Sequence, residues 1–126
     1  MERMTFSAEC ENGIFVLSIS GELDIYTLPK VKQAAEMLME RGIRQMVLNL
    51  SGLSHLDSTA IGFLVQLDRR LKAERGMLCL SSPTPEVFEI FRVTRSDRLF
   101  KFGNTVTEAI AGLNSSTLEK PSSPVR

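Results

Sequence analysis

Hydrophobic positions along the chain alternate in some stretches and follow helical spacing in others, and the switches between the two mark the elements. Met4 to Cys10 alternates and stops before Glu11-Asn12-Gly13. Asn-Gly between such stretches is a strong hairpin signal. Ile14 to Ser20 follows, with Ile14, Val16, Leu17 and Ile19 apolar, so the pattern predicts an opening antiparallel hairpin. Gly21-Glu22-Leu23-Asp24 reads as a turn into a first helix, Leu28 to Arg41, capped by Thr27, with Pro29 in its first turn and Gly42 at its end. Leu28, Val31, Ala35 and Leu38 form its buried stripe.

Met46 to Leu50 is a short apolar run of the kind a covered strand needs, and Ser51 to Leu56 reads as loop on its Ser-Gly-Ser punctuation. Asp57 then serves as the N-cap candidate of a second helix, Ser58 to Glu74, stopped by Gly76, with Ala60, Leu64, Leu67 and Leu71 toward the core. Met77 to Leu80 is another buried strand; Thr84 and Pro85 open a third helix that reaches Val93. Arg92 to Arg98 reads as a charged loop, Leu99 to Phe102 as an edge strand, and Thr105 to Leu113 as a final helix with Val106, Ala109, Ile110 and Leu113 on one face. The order β-β-α-β-α-β-α-β-α specifies an α/β fold: a mixed β-sheet, opening hairpin then β/α units, covered by about four helices. Short strand–helix–strand links imply right-handed crossovers onto parallel neighbours. Residues 1–113 form one domain in this reading; the tail 114–126, rich in Ser, Pro and charge, is expected to be disordered.

Composition narrows the function classes. A hydrophobic fraction of 43% supplies a core, while 15 basic and 15 acidic residues leave no net charge. A neutral chain argues against nucleic acid as a partner, because phosphate binding needs a basic surface. No apolar run is long enough to span a membrane and no signal-peptide pattern is visible, so a cytoplasmic protein with no membrane partner is expected. Cys10 and Cys79 lie in strand-like stretches and are expected as buried free thiols. His55 is the single histidine, which leaves no metal site in view. Neither Gly-x-Gly-x-x-Gly nor the Walker pattern occurs, and no cofactor is expected.

The candidate chemistry is at Asp57-Ser58-Thr59. It places two hydroxyls in the first turn of a helix at the end of a central strand, where α/β folds gather binding surfaces. Unpaired N–H groups and a partial positive charge there tolerate an added phosphate, which a docked partner would feel. The plainer reading is a cap with no regulatory role, and the local residues alone leave both standing. His55, Asp57 and Ser58 are also the residue types of a hydrolytic triad, but near neighbours on one turn rarely place the base between nucleophile and acid, and no Gly-x-Ser-x-Gly elbow exists, so no catalytic residue is assigned. A second face of the same helix, Ser58, Gly62, Val65 and Arg69 with Ile61 beside it, reads either as ordinary exposed apolar surface or as a docking face.

Gly21-Glu22-Leu23-Asp24 after the second strand, and Val47-Leu48-Asn49-Leu50 followed by Asp57-Ser58-Thr59-Ala60-Ile61-Gly62, resemble the STAS domain, and more narrowly the bacterial anti-sigma factor antagonists. The resemblance covers about Met4 to Leu113. It implies that the unphosphorylated protein binds an anti-sigma factor that is also a serine kinase of the GHKL type and so frees the sigma factor. It further implies that this kinase phosphorylates Ser58 to end binding, with Thr59 a second, weaker candidate acceptor, and that a PP2C-type phosphatase restores it. The implied partner surface is Asp24, Asp57, Ser58, Thr59, Ile61, Gly62, Val65 and Arg69. The family's glycine after the hydroxyl pair is Ala60 here, a better helix former whose methyl is expected to touch a close kinase contact. Similar domains also serve as scaffolds or regulatory subunits in stress-signalling and lipid-transport complexes, the alternative reading.

Overall fold

The computed structural model describes residues 3–119. Strand β1 (Met4–Glu11) turns at Asn12 and Gly13, with φ of 55° and 80°, into antiparallel β2 (Ile14–Leu23). Both turn residues are left-handed, as a two-residue hairpin matched to strand twist requires. Three parallel strands follow: β3 (Gln45–Leu56), β4 (Met77–Ser81) and β5 (Lys101–Gly103), giving the sheet order β1-β2-β3-β4-β5. Between them run α1 (Leu28–Glu40), α2 (Ser58–Ala73) and α3 (Pro85–Val93), a 3-10 turn at Asp97–Leu99, and, after β5, α4 (Val106–Glu119).

Strand alternation sorts the core into two layers. Leu17, Ile19, Met46, Leu48, Leu78 and Leu80 face one way and pack with apolar residues of α1, α2 and α3. Ile14, Val16, Val47 and Cys79 face the other way and meet Ala109, Ile110 and Leu113 of α4. Consecutive crossovers of one hand stack their helices on a single face, so α2 becomes the middle helix of three and the opposite face is left to α4.

Several boundaries differ from the sequence reading for physical reasons. The Gly21–Asp24 turn and the Ser51–Leu56 loop are strand instead: β2 continues to Leu23 and β3 to Leu56. Their glycines serve close approach and bulging rather than a turn. The register shifts between Ser18 and Ser20 and again between Gly21 and Glu22. At Gly21, φ is +99° and a Cβ would lie 2.1 Å from the Arg3 carbonyl oxygen. Helix α1 ends as expected, with Gly42 N–H to Met39 and Ile43 N–H to Leu38, both at 3.0 Å. In α2 the left-handed position is taken by Arg75 (φ 67°), not Gly76, whose lack of a side chain answers a Cβ clash 1.9 Å from the Arg44 carbonyl oxygen.

Cys79 is buried but Cys10 is exposed, because β1 is an edge strand that turns most of its length to solvent. Helix α4 runs past Leu113 to Glu119, and the remaining tail, 120–126, lies outside the described residues. Among the described residues no helix is long and apolar enough to cross a membrane.

Candidate functional site

Leu23 and Leu56 are register partners at the ends of β2 and β3. The next residue of each strand is an aspartate, so Asp24 and Asp57 emerge side by side at the sheet's C-terminal edge, each at the entrance to a helix. Asp57 has an extended backbone and caps α2: one carboxylate oxygen accepts from Ala60 N–H at 2.9 Å. The other accepts from the N–H of Ile25 at 3.3 Å, and the Asp57 N–H donates to the Leu23 carbonyl at 3.2 Å. Neither oxygen accepts from His55, which lies on β3 opposite Glu22.

Thr27 was the expected cap of α1, but its backbone is already helical and its side chain makes no capping bond. Asp24 takes that role from further back. Its Oδ1 accepts from the N–H groups of Tyr26 at 2.9 Å and Thr27 at 3.1 Å, and its carbonyl accepts from Leu28 N–H at 2.8 Å. The Thr27 hydroxyl donates to the Glu22 carbonyl at 2.8 Å and locks the loop onto β2. Arg3 closes the arrangement: its guanidinium bridges Glu22 and Asp24 and sits 5.9 Å from the Tyr26 ring centroid. Burial pushes the Asp24 carboxyl up, but the Thr27 N–H, the Arg3 guanidinium and the Tyr26 N–H together outweigh it and hold its pKa below the ordinary value.

The candidate residues on α2 divide by burial. Ser58, Thr59, Gly62 and Arg69 are exposed and Val65 is half-buried against the core. Ile61 is a correction: at 8% exposure it belongs to the core, because the middle helix of three is covered on its flanks as well as beneath. Asp24 is largely enclosed, at 9% exposure, with its carboxylate engaged by Arg3, Tyr26 N–H and Thr27 N–H. Ala60 is fully buried, and its extra methyl packs inward instead of reaching any protein docked outside.

The STAS domain model matches residues 5–109. The chain belongs to the STAS domain family. This STAS domain is 29% identical over 90 residues to the anti-sigma-B factor antagonist of Listeria monocytogenes, covering 71% of this chain and 79% of the relative. The Staphylococcus aureus protein of the same name is 25% identical over 84 residues, covering 67% and 78%. An anti-sigma factor antagonist from Mycobacterium paratuberculosis shares the fold with a TM-score of 0.79 at 25% identity, over 88% of this chain and 94% of that one. The Bacillus cell fate determinant SpoIIAA in its phosphorylated form aligns with a TM-score of 0.66 at 24% identity, over 85% and 97%, a likeness of fold.

Three residues of the site escaped the sequence reading: Arg3, Ile25 and Tyr26. Ile25 and Tyr26 are 56% and 80% exposed on the loop between β2 and α1 of this STAS domain. The available signal was two large apolar residues inside a polar turn, which no core stripe claims. Arg3 carried no signal, since its partners lie about twenty positions along the chain.

Proposed function

We propose that this protein is an anti-sigma factor antagonist: unphosphorylated, it binds an anti-sigma factor with GHKL-type serine kinase activity and releases the sigma factor, and phosphorylation of Ser58 ends that binding until a PP2C-type phosphatase reverses it. The observation that carries the reading is the position of Ser58. Its side chain is exposed in the first turn of α2 and makes no hydrogen bond with another described residue, so the fold does not depend on the hydroxyl.

The physical mechanism follows from that position. A phosphoryl group adds about −1.5 to −2 charges at neutral pH. In free solution the helix N-terminus and water accommodate them, and Asp57 already satisfies the cap. Under a docked protein the same charges lose their water and face the carboxylate of Asp57 next to them, so the complex is penalised and the fold is not. The names carried by the curated relatives favour this reading over a scaffold in a stress-signalling or lipid-transport assembly.

The test uses purified GHKL-type serine-kinase anti-sigma factors. Wild-type protein is expected to bind and to be phosphorylated at Ser58. Ser58→Ala should bind and resist the kinase; Ser58→Asp should lose binding while its circular dichroism and melting stay those of wild type. Phosphate transfer to Ser58→Ala, or undiminished binding by Ser58→Asp, would overturn the assignment.

A further inference from the structure

We infer that Tyr26, with Ile25 beside it, is the apolar anchor by which this protein seats the anti-sigma factor, an inference that rests on the function proposed above. Tyr26 is the chain's only tyrosine, there is no tryptophan, and among the described residues its 80% exposure exceeds that of every other exposed large hydrophobic residue. Ile25 adds a second exposed apolar side chain at the adjacent position. Neither belongs to the core, and the ring's contact with the half-exposed Arg3 guanidinium is a surface one that adds little to the fold.

The pair is exposed yet held. Tyr26 N–H is fixed to Asp24 Oδ1, Ile25 N–H to Asp57 Oδ2, and the Arg3 guanidinium lies against the tyrosine ring. Ordering a loop and its side chains is a main cost of binding, and this loop has already met the backbone part of that cost. Tyrosine, with tryptophan and arginine, is enriched among the few residues that carry most of an interface's energy once a partner covers them.

Position identifies the occupant. One hydrogen bond separates the Ile25 backbone from Asp57, the residue before Ser58. A protein covering the Ser58 hydroxyl therefore extends over Tyr26, and the anchor and the switch belong to one continuous surface. The partner's chemistry follows: a kinase face with an apolar recess that takes an aromatic ring, next to the site that receives the serine. Val93, also exposed, ends α3 and so lies toward the opposite edge of the parallel sheet, outside this surface.

Isothermal titration of the purified serine-kinase anti-sigma factor with wild type, Tyr26→Ala, Tyr26→Phe, Val93→Ser and Ser58→Asp tests this. Tyr26→Ala is expected to weaken binding about 10- to 30-fold, as anchor residues do, with an unchanged melting curve. Tyr26→Phe, which keeps the ring, and Val93→Ser should bind close to wild type. In protein labelled with 3-fluorotyrosine, the single fluorine resonance should shift on complex formation. If Tyr26→Ala binds like wild type and the resonance stays put while Ser58→Asp loses binding, the anchor is wrong and the antagonist function stands. If wild type binds no such kinase, both fall.

Discussion

The backbone N–H of Ile25 donates to the Asp57 carboxylate across 3.3 Å, joining two loops 32 residues apart in sequence. The same carboxylate caps α2 through Ala60 N–H. One acid therefore bonds both the helix start that carries Ser58 and the loop that carries Tyr26, and the two are held in fixed relation.

Asp57→Ala removes the cap and the tether together. Loss of an N-cap costs roughly 0.5–2 kcal/mol. Urea unfolding should register a destabilisation of about that size, with a smaller loss for Asp57→Asn, which keeps an acceptor oxygen. An Asp57→Ala midpoint equal to wild type would show that neither bond matters.

Gly62 shares the exposed face of α2 with Ser58, and a Cβ built there meets nothing within 4 Å. Glycine inside a helix is destabilising by roughly 0.5–1 kcal/mol relative to alanine. Gly62→Ala should therefore raise the melting temperature. If the partner's backbone comes close beside Ser58, the same change should weaken the complex. A variant that is more stable and still binds as wild type would place Gly62 outside the contact.

Asp24 titrates below its ordinary value of 3.8 in the native protein. As pH falls, the unfolded chain takes up this proton before the native one does. The stabilisation Asp24 confers is thus fully present above its unfolded pKa and lost as pH falls through the lowered native value. Asp24→Asn should flatten the acid limb of a stability-versus-pH curve below about pH 4 and leave its neutral limb parallel to wild type. An unchanged acid limb would mean that the Arg3–Asp24 contact does not persist in solution.

The two thiols should separate cleanly. Cys10 is exposed on an edge strand, while burial pushes the Cys79 thiol up to about 11, with Lys101 opposing only in part. A thiol reagent at neutral pH should label one cysteine in the native protein and two after denaturation, with peptide mapping placing the first label on Cys10. Equal labelling rates would contradict the burial of Cys79.

Much of the fold was legible along the chain, because burial periodicity and helix starts are local properties. The stripe Ala60, Leu64, Leu67 and Leu71 is buried as its spacing implies, and Asp57 and Thr84 cap where residue type and position suggest. The failures share a cause. Gly52 looked like loop punctuation because a sequence does not reveal that Ser20 will lie where its Cβ would be, 2.3 Å away. Thr27 looked like the cap of α1 because the competing acceptor, Asp24, is held in place by Arg3, which precedes β1 and lies far away in sequence. Ile61 looked available because its burial depends on α2 being the middle of three helices, a fact of topology.

By itself the sequence determined which segments are strand or helix, which family's motif they carry and where the candidate serine falls, since these follow from side-chain pattern and capping over a few neighbouring residues. Only the tertiary structure decided which of these residues are exposed and which lie side by side. Strand pairing set Leu23 beside Leu56, which brought Asp24 and Asp57 together and tied the Ile25 backbone to the Asp57 carboxylate, while packing took Ile61 inside. Exposure and adjacency across distant segments are set by long-range packing, and no short stretch of chain contains that information.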